Sequence, residues 1–367
     1  MLDKPAWIPD DPPAICRDLF PFLRQAVYLD TGSAGLSFEE QGRAVAEFFA
    51  AKSRGYLGRD EWLDRGASVR RRLADWLGTR PDEVEFFSGT TDALNIIGYS
   101  VDWRKGDEVV VADDEFPSVR LAWQAAERAG GVVRLVKIPK ETERETALLD
   151  ALSERTRVLV VTHVHSMTGT RLDLDRLGTE CRKREILLVV DGIQALGAIP
   201  IGLDKVDVYM AGMIKWMLSG FGLAVCVVRD RARQALRPAF RGSLNPPPDA
   251  GLQFAHVNYP GLYALGASLD LLGNTIGWDM AQARTAKLVE WLAEDLRAGG
   301  IELAAPEGSR AGIASIPLPD TEAARLSLAT RDMYAAARGK YLRATPFFYN
   351  SREDISRFAT HVLKHCR

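Results

Sequence analysis

The feature of this 367-residue chain that most restricts its fold is a series of short, almost wholly apolar runs, each followed by a segment of helical periodicity. EVVVAD (108–113) precedes SVRLAWQAAERAG, and VVRLVKI (132–138), RVLVVTHV (157–164) and ILLVVDG (186–192) follow in turn. A strand that is apolar on both faces has to be covered on both faces, and helical crossovers supply that cover. The pattern predicts an α/β fold with a mostly parallel central sheet and helices on both sides. Ligands of such sheets sit beyond the carboxyl ends of the strands, so residues that carry chemistry are expected just after the apolar runs. DVYMAGM (207–213) and GLAVCVV (222–228) read as two further strands.

The pattern breaks at RGSLNPPPDAG (241–251), where three consecutive prolines can continue neither a helix nor a central strand. We place the division there, with a large domain over 18–252 and a smaller α+β domain made of 1–17 and 253–367. With 47 basic against 49 acidic side chains, no charge excess draws in nucleic acid or an anionic membrane. No uncharged apolar stretch approaches the roughly 20 residues that span a bilayer. The opening MLDKPAWIPDDPP lacks the basic-then-apolar order of an export signal. Cys16, Cys181, Cys226 and Cys366 show no CxxC spacing, which fits a reducing compartment, so the cytoplasm is expected.

AGMIKWMLSGFG (211–222) sets Lys215 among apolar residues and glycines, between two strand signals. An ammonium there must reach water, pair, or give up its charge. Asp191 closes the run ILLVVD, where a carboxylate either caps the next element or meets a ligand. In FSGTTDALN (87–95), Gly89, Thr90 and Thr91 lead into a helix, a sequence that suits an N-cap and equally a phosphate seat. Neither GxGxxG nor GxxxxGK[ST] occurs, so dinucleotide and Walker-type nucleotide sites lack their motif. A phosphate seat, a strand-end carboxylate and a desolvated lysine at the ends of one sheet are the contacts that pyridoxal 5'-phosphate requires. The lysine forms the Schiff base, favoured by a lowered pKa, and the carboxylate holds a proton on the pyridine nitrogen. His163 and His165 alternate along one strand and would share a face for a metal, yet no carboxylate or thiol at metal-site spacing accompanies them, and no metal is expected.

Eight segments in order resemble the class V aminotransferases, fold-type I pyridoxal phosphate enzymes that include cysteine desulfurases, kynureninases and isopenicillin N epimerase-like proteins. They are VYLDTGSAGL, FFSGTTDALNII, DEFPS, THVHSMTGTRLDL, VVDGIQALG, VDVYMAGMIKW, NYPGLYALGASLDLL and ARGKYLRATPFFYNSREDI, and they span nearly the whole chain. The resemblance implies Lys215 as the Schiff-base lysine, Asp191 as the ring-nitrogen partner, and Gln194 as a donor near the phenolic oxygen. It implies Gly89, Thr90 and Thr91 at the phosphate, Phe116 stacked on the ring, and His163 close to the cofactor. Phe116 has an equal claim to ordinary core packing. Arg343 in YLRATP takes the position that binds the substrate carboxylate, which a guanidinium grips with two parallel hydrogen bonds. A homodimer is implied as well.

Departures from the family pattern are as informative. Where the family writes Ser-x-His-Lys, this chain has Gly212, Met213 and Ile214 before Lys215, so two side-chain contacts to phosphate are absent. Ala255 and His256 stand where Gly-Thr reaches a neighbouring subunit's phosphate, and Ser166 replaces an Asn. The segment 309–345, which in desulfurases often carries the sulfur-accepting thiol, has no cysteine. The residues do not choose among transfer, inversion and elimination, and the expected activity is the one the resemblance implies most generally, an aminotransferase using an amino acid and a keto acid. A pyridoxal-phosphate epimerase or lyase, among them a thiol-independent C–S lyase, is the alternative, followed by a catalytically silent cofactor-binding protein.

Overall fold

The computed structural model describes residues 8–139, 143–248 and 251–366. Of the segment 1–17 assigned to the small domain, residues 1–7 lie outside the described residues, as do 249–250 of the proline-rich break. The chain runs through α1 (Glu39–Lys52), α2 (Arg59–Leu77), β1 (Val84–Phe87), α3 (Thr90–Ser100), β2 (Glu108–Ala112), β3 (Val132–Val136), β4 (Thr156–Thr162) and α4 (Leu174–Lys183). It continues with β5 (Leu187–Asp191), β6 (Val208–Gly212), β7 (Ala224–Val228), α5 (Tyr259–Leu269), α6 (Trp278–Ala298), β8 (Ala314–Pro317), α7 (Thr321–Ala329), β9 (Ala336–Arg338), β10 (Tyr341–Ala344) and α8 (Arg352–His365).

Seven strands form the large sheet in the order β1-β7-β6-β5-β4-β2-β3. β7 runs antiparallel to both its neighbours, while every other pairing is parallel. The two-residue period of a strand sorts the apolar runs onto two faces. Val110, Leu159, Leu188, Tyr209 and Val225 pack beneath α2, α4 and α5, whereas Val109, Val158, Val189, Val208 and Cys226 pack against α3. Each fully buried Val or Leu contributes about 2 kcal/mol by leaving water. α4 shows the matching helical code: Leu174, Leu177, Gly178 and Cys181 bury one face, and the Asp173 carboxylate accepts the Arg176 N–H to start the helix.

β3 departs from the expectation of a strand covered on both faces. It pairs only with β2, and Val132 and Leu135 are about half exposed, because an edge strand is covered incompletely whatever its composition.

The smaller lobe packs α6, α7 and α8 on the antiparallel sheet β9-β10-β8 around Leu288, Leu292, Ile316, Leu342, Phe358 and Val362. The core does not divide at the proline break. Leu262, Leu265 and Leu269 of α5, beyond the break, belong to the large-sheet core, and Val27 and Leu29, before it, belong to the small-lobe core. Residues Val27–Tyr28 achieve this by pairing in parallel with Met333–Tyr334. The prolines interrupt the local pattern without separating the packing. Between the lobes, Trp216 meets Phe347 edge-on at 5.3 Å within a cluster that includes Phe20, Phe38 and Phe348. The residue beside Lys215 is thus clamped by both lobes.

Candidate active site

A cavity of about 520 Å3 opens beyond the carboxyl ends of β1, β4, β5 and β6, a volume in the range of small-molecule sites. It brings together Gly89, Thr90, Thr91, Phe116, Asp191, Gln194, Lys215 and Arg343, every residue singled out from the sequence except His163.

Lys215 sits in the loop between β6 and β7. The segment 32–36 lies directly against this loop: the Gly35 N–H donates to Ile214 O at 2.8 Å, and a Cβ on Gly35 would come 2.1 Å from Lys215 O. Only glycine fits there. Burial, followed by the nearby Arg343 guanidinium, lowers the Lys215 amine from 10.5 to about 8. The fold therefore relieves the isolated lysine partly by weakening its hold on a proton.

Asp191 ends β5, buried, and accepts the Ile193 N–H at 2.9 Å. Burial raises its carboxyl to about 6. Behind it, Thr162, its register partner on β4, gives its hydroxyl to the buried carboxylate of Glu115 at 2.8 Å. Gln194 is largely committed to the protein. Its amide donates to Gly32 O at 3.0 Å, its oxygen accepts from Trp216 Nε1 at 3.1 Å, and one N–H remains for a ligand.

The N-terminus of α3 carries no side-chain cap, and the buried Thr90 Oγ1 has no hydrogen-bond partner in the fold. A Cβ on Gly212 would approach Thr90 Oγ1 to 3.3 Å, so the glycine that replaces the family's serine leaves the space beside that hydroxyl open. An orphaned hydroxyl beside unpaired helix N–H groups suits a phosphate. An amine of lowered pKa suits an aldehyde, and a strand-end carboxylate suits a pyridinium nitrogen. The donor set fits pyridoxal phosphate.

Phe116 lines the cavity with 55% of its surface exposed, so it is a wall of the site rather than core packing. Arg343 is only 3% exposed. It donates to Ser33 Oγ at 2.8 Å and to Ser166 O at 3.2 Å, while its buried Nε has no partner. Burial, then the adjacent Arg338, lowers it to about 10.

His163 does not join these residues. The pleat that turns Thr162 and Val164 to the cavity turns His163 to the other side, where it lines a separate pocket with Arg171 and Asp173. Its Nδ1 lies 3.3 Å from Tyr209 Oη, and burial lowers it to about 3, so the ring is neutral. Its backbone N–H, donated to Asp191 O at 2.9 Å, is its link to the site. His165 is engaged with Thr168 Oγ1 and Asp114 O. The described residues hold no group of three His, Cys, Asp or Glu placed to ligate a metal. His256 is exposed on the surface.

Sequence reasoning missed Ser33, Thr162 and Arg338 as cavity residues. Ser33 and Arg338 lie within VYLDTGSAGL and ARGKYLR, but only tertiary contact between chain ends shows that they meet. All four cysteines are free and buried. The β9–β10 hairpin turns tightly at Gly339 and Lys340, since Arg338 pairs with Tyr341, leaving no loop at the cavity for a thiol.

The sequence profile of the family described as Aminotransferase class-V matches residues 51–358. Isopenicillin N epimerase of Amycolatopsis lactamdurans is 28% identical, over 92% of this chain and 96% of its own. The uncharacterized aminotransferase YcbU of Bacillus subtilis (strain 168) is also 28% identical, over 92% and 94%. Other relatives are named probable cysteine desulfurases. Among solved structures, a mutant of C-DES with glycine covalently linked to its PLP cofactor superposes with a TM-score of 0.87 at 20% identity, covering 95% of this chain and 99% of that one. No helix among the described residues is long and apolar enough to cross a membrane.

Proposed function

Because the chain belongs to the class-V aminotransferases, a family of pyridoxal-phosphate enzymes, we propose that it transfers the amino group of an amino acid to a keto acid, with Lys215 as the residue that carries the cofactor and moves the proton. One observation carries the reading. The titratable side chains lining the cavity are Asp191, Lys215, Arg338 and Arg343, and of these Lys215, lowered to about 8, and Asp191, raised to about 6, exchange protons near neutral pH. The arginines stay charged, and Asp191 is reserved for the ring nitrogen.

Pyridoxal phosphate supplies an aldehyde and an electron-withdrawing ring that weakens the bonds at the substrate's α-carbon. Thr90, Thr91 and the N–H groups of α3 hold its phosphate, Phe116 covers its ring face, and Arg343 grips the substrate carboxylate. Lys215 would take the proton from the substrate α-carbon and deliver it on the same side to the former aldehyde carbon of the cofactor, the one-base movement that amino transfer needs. Inversion would call for a second proton donor on the opposite side, and beyond Asp191 and Lys215 the titratable side chains of the described cavity lining are arginines. Sulfur transfer through a protein thiol is disfavoured by the four buried cysteines and the tight hairpin turn.

We further propose a cytoplasmic homodimer. Tyr56, Leu57 and Phe221, each more than three-quarters exposed, support burial against a second copy, and the unpaired thiols support a reducing compartment. Light scattering that finds only monomer would overturn the dimer. The activity is tested by mass spectrometry of products from a panel of amino acids, with and without an added keto acid. Product formation that depends on the keto acid supports transfer; inverted amino acid or released ammonia without an acceptor refutes it.

A further inference from the structure

The small-lobe hairpin brings a second guanidinium to the cavity. Register pairs Ala336 with Arg343 and Arg338 with Tyr341, so Arg338 and Arg343 lie on one face of the β9–β10 hairpin, one inner and one toward the turn. Both side chains line the cavity that contains Lys215, and both donate to the same acceptor: Ser33 Oγ takes Arg343 Nη2 at 2.8 Å and Arg338 Nη2 at 3.2 Å.

Two adjacent cations sharing one neutral hydroxyl have only a distant counter-charge, in the Asp30 carboxylate. Among the described residues Arg338 forms no ion pair, and the nearest carboxylate oxygen to Arg343, Asp30 Oδ1, stays 4.0 Å away. The Arg343 Nε is buried without a partner. A buried guanidinium held beside a second one favours an anion between them, because like charges repel and the inner group has lost its water. One α-carboxylate would satisfy the inner group through its Nε and Nη atoms, as bidentate geometry requires, and would leave the outer group unmatched.

We propose that the cavity selects amino acids with a second carboxylate on the side chain, of the aspartate and glutamate class, with Arg343 at the α-carboxylate and Arg338 at the distal one. The proposal rests on Lys215 being the residue that carries the cofactor. It identifies Arg338 as the residue that sets substrate preference. Ser33 is a positioning residue that holds the two guanidinium groups together until the diacid replaces it as their acceptor.

The test is competition binding to cofactor-loaded protein, followed by calorimetry, with glutarate and butyrate as a matched dicarboxylate and monocarboxylate. Glutarate should bind about tenfold or more tightly than butyrate, the size of one added charged hydrogen-bond pair. Arg338→Gln should bring that ratio close to one, Arg338→Lys should keep part of it, and Arg338→Glu should favour amino acids with a cationic side chain over those with an acidic one. Each preparation is also reduced with borohydride and its peptides mapped. If Lys215 carries the cofactor label but wild type shows no glutarate preference, or Arg338→Gln retains it, the diacid proposal is overturned and the lysine assignment stands. If Lys215 is unlabelled in wild type, the lysine assignment falls and the proposal with it.

Discussion

Replacing Lys215 by methionine should make the cofactor-free protein more stable at neutral pH, although it removes the residue to which we assign the cofactor. Methionine matches the lysine stem and fills the same space without the charge. Burial and the Arg343 guanidinium hold the Lys215 amine at about 8, against 10.5 for an ordinary lysine. The folded value lies below the unfolded one, which fixes the sign. Below pH 8 both states carry the proton, and the cost of a desolvated ammonium is present in full. Between 8 and 10.5 only the unfolded chain binds it, so stability rises with pH, and above that window the cost is gone. The separation corresponds to about 3 kcal/mol at pH 7, shrinking to about 1.4 kcal/mol at pH 9.5. Urea unfolding of the two apoproteins across that range, compared at equal m-value, reads the difference directly. Equal stability at pH 7, or a gap that ignores pH, would refute the desolvation argument. The same shift leaves about a quarter of Lys215 neutral at pH 7.5, against about one part in a thousand for an unperturbed lysine, and this fraction is what attacks an aldehyde.

Other substitutions separate fold from site. Thr90→Val removes a buried hydroxyl that lacks a partner, so the apoprotein should gain about 1 kcal/mol in urea unfolding while pyridoxal phosphate binds about tenfold more weakly by fluorescence titration; parallel changes would contradict the phosphate assignment. Gly35→Ala drives a Cβ into Lys215 O and should cost about 2–3 kcal/mol, measured as a lower melting temperature. Arg343→Gln should raise the KM for the amino acid about tenfold or more and leave the cofactor's absorption band in place; an unchanged KM removes the carboxylate role. His163→Gln should keep borohydride labelling of Lys215 intact while costing about 1 kcal/mol of stability, because its ring bonds to Tyr209 outside the cavity; lost labelling in a stably folded variant would return His163 to the site.

The large sheet was legible because each apolar run declares its own period, and the structure uses both halves of that period: odd and even residues of β2 and of β4 to β7 enter opposite cores. Lobe membership was not legible. The pairing of Val27–Tyr28 with Met333–Tyr334 joins residues some three hundred positions apart, and no local pattern encodes such a contact. His163 marks a second limit. Its neighbours Thr162 and Val164 face the cavity, and a one-residue displacement along a strand exchanges faces, so a segment can occupy the right place while a given side chain points away. Ser33 and Arg338 were invisible as site residues for the same reason as the lobe pairing. Their shared hydrogen bond exists only once the two ends of the chain meet.

Several of the groups that the fold leaves least satisfied converge on one cavity. Thr90 Oγ1 and Arg343 Nε are buried without partners, Lys215 is held near the point of losing its proton, and Asp191 is raised toward neutrality. Elsewhere some unmatched atoms, such as Asp207 Oδ1, belong to side chains whose other atoms are paired, as in the Asp207–Arg231 bridge. In the cavity the deficits are complementary in kind: donors for a phosphate and a carboxylate, an amine for an aldehyde, a carboxyl for a ring nitrogen. Three of these groups belong to the large-sheet lobe and Arg343 to the small-lobe hairpin, so on the proposed roles a cofactor joined to its substrate would satisfy both lobes at once. Binding is then coupled to the packing between lobes around Trp216, and a ligand held at a hundred times its dissociation constant adds about 2.7 kcal/mol to the stability of the whole chain. The unmet groups that cost stability when the site is empty are the ones that a bound ligand would satisfy.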